Sequence, residues 1–562
     1  MPKIIECVPN FSEGRDPEVI RQITDAAEAV EGVALLDVDP GMATHRTVVT
    51  FAGAPEAVVE AAVRSAEVAA QMIDMRRHKG EHPRFGALDV CPLVPVSGIT
   101  MEETVGWARK LGERLGDEVG LTVFCYENAA FSESRRNLAT VRAGEYEGLE
   151  KKLASAEWKP DFGPAEFNPA SGATAVGARD YLIAYNVNLN TTSTRRANAV
   201  AFDVREKGRV KREGGSLTGA VVRDEEGTPV YLPGTLKAVK AIGWFIEEYG
   251  IAQISMNLTD VRITPVHKAF DEVRRSARDR GIRVTGSELV GLIPLGVMLD
   301  AGRHYLREQR RSLGVSDGEL IKIAVKSLGL DDLKPFDPDQ KIIEYRLKAL
   351  LPSAPRLVEA TVSGFTEETA SESPAPGGGS VAAAVGALGA ALGAMVANLS
   401  AHKRGWDDRW EKFSDWAVQG KTAYESLLDL VDQDTDSFNA VMAAHRLPKR
   451  DEAQRQRRDD AIQSAARHAM ETPLAVMETC LEMMPLLLAM AKDGNPASAS
   501  DAGVGALCAR AAARGALLNV RINSSELADR SVADELIERG REIERRVEEL
   551  EAKVLAAVEE RL

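Results

Sequence analysis

Residues 330–355 read LDDLKPFDPDQKIIEYRLKALLPSAP and divide the chain into two parts with different patterning. Pro335, Pro338, Pro352 and Pro355 break any long helix, so the segment reads as a linker with one short ordered piece over 342–350. Upstream, short β-rich runs alternate with amphipathic helical runs. Strands are expected at 4–8, 33–38, 46–52 and 121–126, and helices at 18–30, 55–73 and 104–115. A second series has strands at 181–189, 238–245, 252–257 and 283–284, with helices at 195–207 and 265–278. Two rounds of this alternation predict an α/β (α+β) half made of two ferredoxin-like sheet-and-helix subdomains, residues 1–180 and 181–330.

After the linker at 331–355 the strand signals vanish. Ala, Leu, Met, Arg and Glu dominate, and helical periods run from Val381 to the end, predicting an all-α helical-bundle domain over 356–562. Ile543, Val547, Leu550 and Val554 repeat at heptad spacing on a charged helix, the mark of a bundle or subunit-interface helix.

The chain's 562 residues suit several domains, and 44% hydrophobic with 28% charged residues is a globular composition. A net charge of −15 gives no basic face for nucleic acid. Cys7, Cys91, Cys125, Cys480 and Cys508 are widely spaced without a CxxC pair, so neither a disulfide framework nor a thiolate metal site is expected. The N-terminus lacks a signal peptide's organisation. The apolar run 381–399 is Ala/Gly-rich and reads as a closely packed buried helix rather than a membrane span. The expectation is a cytoplasmic protein with no membrane partner.

Arg76-Arg77-His78-Lys79-Gly80-Glu81-His82-Pro83-Arg84 places four cations and two histidines in nine residues, just after a long helix. Three readings compete. His78 to His82 matches the H-x-x-E-H zinc pattern, but Gly80 and Pro83 oppose the continuous helix it needs, and the cations repel a metal. The run could be a solvated basic surface. It could also hold an anionic substrate, with a histidine carrying protons near neutral pH.

In the second half, Pro376-Gly377-Gly378-Gly379-Ser380 precedes a helix and exposes backbone N–H groups, either as a site or as a close-packed helix start. Asp432-Gln433-Asp434-Thr435-Asp436 imitates a calcium loop, but Ser437 and Ala443 stand where it needs Gly and Glu. On a helix, Asp432 and Asp436 share a face and Asp434 points elsewhere. Gly494 to Gly503 is a further loop entering a helix.

Cys7-Val8-Pro9-Asn10-Phe11-Ser12-Glu13-Gly14 and Gly80-Glu81-His82-Pro83-Arg84-Phe85-Gly86-Ala87-Leu88-Asp89-Val90 resemble signatures of the glutamate formimidoyltransferase family. Ala143-Gly144-Glu145-Tyr146-Glu147 and Asp161-Phe162-Gly163-Pro164 extend the likeness. The resemblance implies that His82 is the catalytic acid/base. It also implies that Gly163, Pro164, Ala165, Glu166, Phe167, Asn168, Pro169, Ala170, Ser171 and Gly172 line a folate site, although a turn-rich loop like this can equally be a connection. One departure is a polar, Gly-rich stretch between Gly208 and Leu236, longer than the equivalent loop in close family members. The Pro-Gly-Gly-Gly-Ser start, Val431 to Phe438 and Ser500-Asp501 resemble formimidoyltetrahydrofolate cyclodeaminase, which implies Asp434 as the functional acid. Together the resemblances imply a bifunctional enzyme of histidine degradation and one-carbon metabolism. It moves a formimino group from N-formimino-L-glutamate to tetrahydrofolate, free or polyglutamylated, then closes the ring to 5,10-methenyltetrahydrofolate and releases ammonia. No metal is expected, and a homo-oligomer formed through the helical domain is. The alternatives are formyl transfer from N-formylglutamate at the same site and a non-catalytic folate-binding scaffold.

Overall fold

The computed structural model describes residues 3–42, 44–79, 84–215, 219–350 and 356–562. His82, with Gly80, Glu81 and Pro83, lies outside the described residues. The chain forms two compact units, one of residues 1–301 with 324–353 and one of residues 302–323 with 354–562.

The first unit begins with β1 (Ile4–Cys7), β2 (Asn10–Phe11), α1 (Pro17–Glu28), β3 (Val33–Gly41), β4 (Arg46–Gly53), α2 (Pro55–Met72) and β5 (Leu88–Ser97). α3 (Met101–Asp117), β6 (Thr122–Glu127) and β7 (Ala173–Ala178) extend it. β1 and β2 together lie between β4 and β5, β3 pairs with the outer edge of β4, and all these pairings are antiparallel. That is the βαββαβ arrangement of a ferredoxin-like subdomain. β7 and β6 then add to β5 in parallel, as the α3 crossover requires. The helices start where the chain supplies caps. Asp16 accepts the N–H groups of Glu18 and Val19 at α1, and Thr100 and Glu103 form a reciprocal capping box at α3.

The strands alternate by face. Ile5 and Cys7 of β1, Val49 and Phe51 of β4, and Cys91 and Leu93 of β5 are buried in one core with α1, α2 and α3. Glu6, Thr50 and Pro92 point to the other face, away from α1, α2 and α3.

The second subdomain repeats the topology. It comprises β8 (Ile183–Leu189), α4 (Thr194–Val204), β9 (Arg209–Val210), β10 (Tyr231–Leu232), β11 (Val239–Ile246), β12 (Ile251–Leu258), α5 (Val266–Arg278) and β13 (Val284–Val290). Its main sheet has the order β11-β12-β8-β13, fully antiparallel. The Gly-rich departure forms the small β9–β10 pair, with Ser216, Leu217 and Thr218 outside the described residues. The helix Ile343–Leu350 packs Ile343 and Leu347 against Ala34, Leu36 and Ala52 of the first sheet. The ordered piece of the Pro-rich segment is therefore part of this unit's core.

The second unit is helical from α6 (Gly378–Ala401) through α7 (Trp410–His445), α8 (Glu452–Asp493), α9 (Ala499–Asn523) and α10 (Arg530–Glu559). α6 and α8 are long and apolar enough to cross a membrane, but more than half of each apolar window is buried against the other helices. Small residues let the helices touch. A methyl group on Gly389 would lie 2.8 Å from the Gly505 carbonyl oxygen, so these two backbones meet directly. Ile543, Val547 and Val554 of α10 are buried in the same core, so this heptad stripe serves the bundle itself. Residues 302–323 are built into the unit, where Gly314 lies against Ala417 and the buried Lys421 ammonium meets Asp317 at 2.5 Å.

Candidate active sites

In the first unit, the flanks of the His loop are held firmly. His78 follows a turn rather than lying on a helix, so the geometry demanded by a helical H-x-x-E-H zinc site is missing on its described side. Its Nε2 bonds the His45 carbonyl oxygen at 2.7 Å, and its ring stacks on His45 with centroids 4.3 Å apart. Burial pushes its imidazole below the usual histidine range. His45 in turn contacts the Lys79 carbonyl oxygen at 3.0 Å and Glu13 at 3.1 Å. Glu13 also accepts the N–H groups of Gly14, Arg15 and Asp16 at 2.8–3.0 Å. The Ser-Glu-Gly end of the first motif is thereby fixed to the near side of the loop.

Arg84 fixes the far side. Its guanidinium donates to the Met75 and His78 carbonyl oxygens and pairs with Glu147, over the Tyr146 ring. It is occupied as a clamp, while Arg76 and Arg77 turn to Asp74 and are exposed. The Tyr146 hydroxyl donates to the Pro169 carbonyl oxygen at 2.5 Å, and its ring meets Phe167 at 5.6 Å. Ser171 and Ala170 carbonyl oxygens accept the N–H groups of Ala87 and Met75 at 2.8 and 2.9 Å. The structure thus brings Phe167, Asn168, Pro169, Ala170, Ser171 and Gly172 beside the loop's flanks. It does not do so for Gly163, Pro164, Ala165 and Glu166. Those four are exposed, and Gly163 lies against Gly116 and Leu121.

A cavity of about 320 Å³ opens on the face of the first sheet opposite α1, α2 and α3, with Ile343 in its wall and Arg46, Asn10 and Val48 at the end next to His45. Arg46 and Arg142 both grip Asp89, which is fully buried, and the Arg46 Nε donates to Asn10 at 2.9 Å. Arg179, Glu6, Asp37 and Asp39 also line the cavity.

In the second unit, Asp434 faces a separate cavity of about 370 Å³, lined also by Gly377, Gly378, Gly379, Phe438 and Asn519. The Ser380 hydroxyl donates to its Oδ2 at 3.0 Å. Burial pushes the carboxyl up from the usual aspartate range, outweighing the Ser380 hydroxyl and N–H that favour the ion. Its neighbours have other surroundings. Asp432 binds Arg356 at 3.1 Å and the Leu357 N–H at 2.7 Å, and Asp436 is exposed. The glycine run has a steric reason. A Cβ on Gly379 would sit 2.1 Å from an Asp434 carboxylate oxygen, so this residue must be glycine for the acid to keep its place. Ser500 and Asp501 open α9 at its far end, about 28 Å by helical rise from the Asn519 of the cavity. Within one chain they do not join Asp434.

Residues 4–179 match the formiminotransferase domain, N-terminal subdomain; residues 184–348 the formiminotransferase domain; and residues 361–542 formiminotransferase-cyclodeaminase. Formimidoyltransferase-cyclodeaminase of Gallus gallus is 43% identical over 561 residues, covering 100% of both chains. That of Rattus norvegicus is 42% identical over 529 residues, 94% of each. The chain belongs to the formiminotransferase-cyclodeaminase family. Among solved structures, formiminotetrahydrofolate cyclodeaminase of Thermotoga maritima is 28% identical and covers 36% of this chain and 96% of its own, with a TM-score of 0.33. The family read from the motifs is therefore the family of the whole chain. What sequence reading missed were Arg46 and Glu6, single charged residues in strands, and Arg142, which caps the short helix Leu138–Val141; no motif spacing marks any of them.

The Gly379–Asp434 contact predicts the effect of one methyl group. Gly379→Ala should lower ammonia release from supplied 5-formiminotetrahydrofolate on the order of 100-fold, with formimino transfer within about twofold of the unaltered protein, since the added methyl group displaces the Asp434 carboxylate from its place. Normal ammonia release from this variant would show that Asp434 tolerates displacement.

Proposed function

We propose that the two activities of this bifunctional enzyme are divided between the two units, with His82 serving the first and Asp434 the second. The chain is a glutamate formimidoyltransferase and a formiminotetrahydrofolate cyclodeaminase of folate one-carbon metabolism. In the first reaction N5 of tetrahydrofolate attacks the amidine carbon of N-formimino-L-glutamate. Collapse of the tetrahedral intermediate needs a proton taken from N5 and one given to the departing glutamate nitrogen. One imidazole performs both in turn, as base and then acid. The anchoring of both described flanks of the His82 loop beside the cavity supports this role.

In the second reaction N10 attacks the formimino carbon, and ammonia leaves once its nitrogen has been protonated. The observation that carries the assignment of Asp434 is its half-buried carboxyl, raised by desolvation, at the wall of a cavity that begins with Gly377, Gly378 and Gly379. Such a group accepts the N10 proton as carboxylate and returns one to the leaving amine as acid. Both steps are proton transfers at carbon–nitrogen centres, and we assign no metal to either. The donor we assign is the formimino compound, with formyl transfer as the comparison.

His82→Ala should abolish transfer, by at least about 100-fold, with ring closure of supplied 5-formiminotetrahydrofolate unchanged; Asp434→Asn should do the reverse. Separate assays of glutamate, ammonia and methenyltetrahydrofolate read the two steps. A variant that loses both, or neither, contradicts the division.

We also infer self-association through the helical unit. Leu388, Met395 and Leu399 of α6 and Val504, Leu507 and Leu518 of α9 are exposed apolar side chains on adjoining helices. Light scattering should give at least twice the 60.7 kDa chain mass. Leu388→Glu with Leu507→Glu should lower it; a monomeric unaltered protein would contradict the inference.

A further inference from the structure

Glu6 is a carboxyl group without a hydrogen-bond partner among the described residues. It lies in the middle of β1, opposite Ala52 of β4 and Val94 of β5, and is 4% exposed. It lines the cavity of the first unit, and among the described residues nothing donates a hydrogen bond to it. The charged and titratable groups that face it are the Arg179 guanidinium, the Glu344 carboxylate and the Tyr181 hydroxyl. Glu344 is already engaged by the Leu295 N–H at 2.8 Å, and Arg179 donates to the Asp180 carbonyl oxygen at 3.0 Å. Burial pushes Glu6 up to about 7, with Arg179 opposing and Glu344 adding to the effect. A buried acid kept this way costs stability and gives the fold no hydrogen bond.

What Glu6 lacks is a pair of N–H donors in one plane, the arrangement that a carboxylate accepts best. Two groups in the substrates have it. One is the amidine of the formimino donor; the other is the aminopyrimidine edge of the pterin, with its ring N–H and exocyclic amine. Position along the sheet separates them. Arg46 marks the end of the cavity beside the His loop, and Glu6 pairs with Ala52, six residues further along β4. The amidine carbon is the reacting atom and belongs at the loop. The pterin edge is the N–H pair that lies away from the reacting nitrogen.

We propose that Glu6 is a specificity-determining residue of the transferase, accepting the two N–H groups of the pterin's aminopyrimidine edge at the end of the cavity remote from the His loop. This rests on the transferase reading of the first unit. Glu6 positions tetrahydrofolate and leaves the proton transfers of the reaction to the loop. A site of this kind rejects a pterin lacking the exocyclic amine, because the carboxylate is then left half-satisfied in a dry place.

The experiment pairs Glu6→Gln with 2-desamino-tetrahydrofolate. In the unaltered protein the desamino compound should have a kcat/KM in transfer on the order of 30-fold below that of tetrahydrofolate. Glu6→Gln should raise KM for tetrahydrofolate at least about tenfold, shrink the desamino penalty to under about threefold, and leave KM for formiminoglutamate within about twofold. Glu6→Asp, which keeps the charge, should retain most of the penalty. The melting temperature of Glu6→Gln should equal or exceed that of the unaltered protein, since a merely structural carboxyl would give a lower one. A raised KM for formiminoglutamate with an undiminished desamino penalty would assign Glu6 to the amidine and overturn the proposal, as would unchanged kinetics. An unaltered protein that transfers nothing to tetrahydrofolate would instead overturn the transferase reading, and this proposal with it.

Discussion

Asp89 is fully buried, and two guanidinium groups meet its carboxylate there, one from Arg46 on β4 and one from Arg142. A carboxylate taken out of water must be given cations, N–H donors or a proton, and much of the first unit follows from how this one is satisfied. Arg46 is also bonded to Asn10, so the ion cluster joins the first motif to the strand that follows the His loop. Arg142 reaches Asp89 from just before the Ala-Gly-Glu-Tyr-Glu motif, whose Tyr146 and Glu147 hold Arg84. Three motifs far apart in sequence therefore converge on one buried charge, and the two described flanks of the His loop are set by it.

The same constraint sorts the other buried acids. Glu6 has no hydrogen-bond partner among the described residues, and Asp434 has only Ser380. Among the described residues neither has a cation at hydrogen-bonding distance, and burial raises both. An acid given cations within the protein, as Asp89 is at its Oδ2, holds a structure together; an acid left open toward a cavity is available to a substrate. Asp89 is of the first kind, and Glu6 and Asp434 are of the second.

Much of the architecture was legible because the two periodicities are clean. The expected strands at 33–38 and 46–52 and the helix at 55–73 match β3, β4 and α2 closely, since Val49 and Phe51 alternate with Val48 and Thr50, and the α2 face is apolar at helical spacing. The twice-repeated ferredoxin-like topology emerged from that alternation. Besides the two-residue strands β2, β9 and β10, two longer strands were not legible. β5 contains Pro92 and Pro95, which argue against a central strand, and β7 is ATAVGA, in which alanine and glycine outnumber Thr174 and Val176. Both are buried between other elements, so tertiary packing rather than propensity makes them strands.

For the sites, Asp434 was legible as the odd member of an acidic helix triplet, because helical geometry turns it from its neighbours. Of the two outer acids, Asp436 is exposed, while Asp432 is tied to Arg356 and the Leu357 N–H. The loop cations looked like carboxylate binders, yet Arg84 is taken up by carbonyl oxygens and Glu147, and Arg76 by Asp74. The arginines of the cavity come from positions whose meaning depends on which sheet face they occupy, and that is set by register. The central claim is that uncompensated burial raises the carboxyl groups of Glu6 and Asp434 above the usual carboxylate range. Infrared difference spectra of the carboxyl stretch across a pH titration test it most directly. The account predicts a protonated-carboxyl band fading with a midpoint near pH 7 that is absent in Glu6→Gln, and a second band, persisting above the usual aspartate range, that is absent in Asp434→Asn. Spectra that neither substitution changes would contradict it.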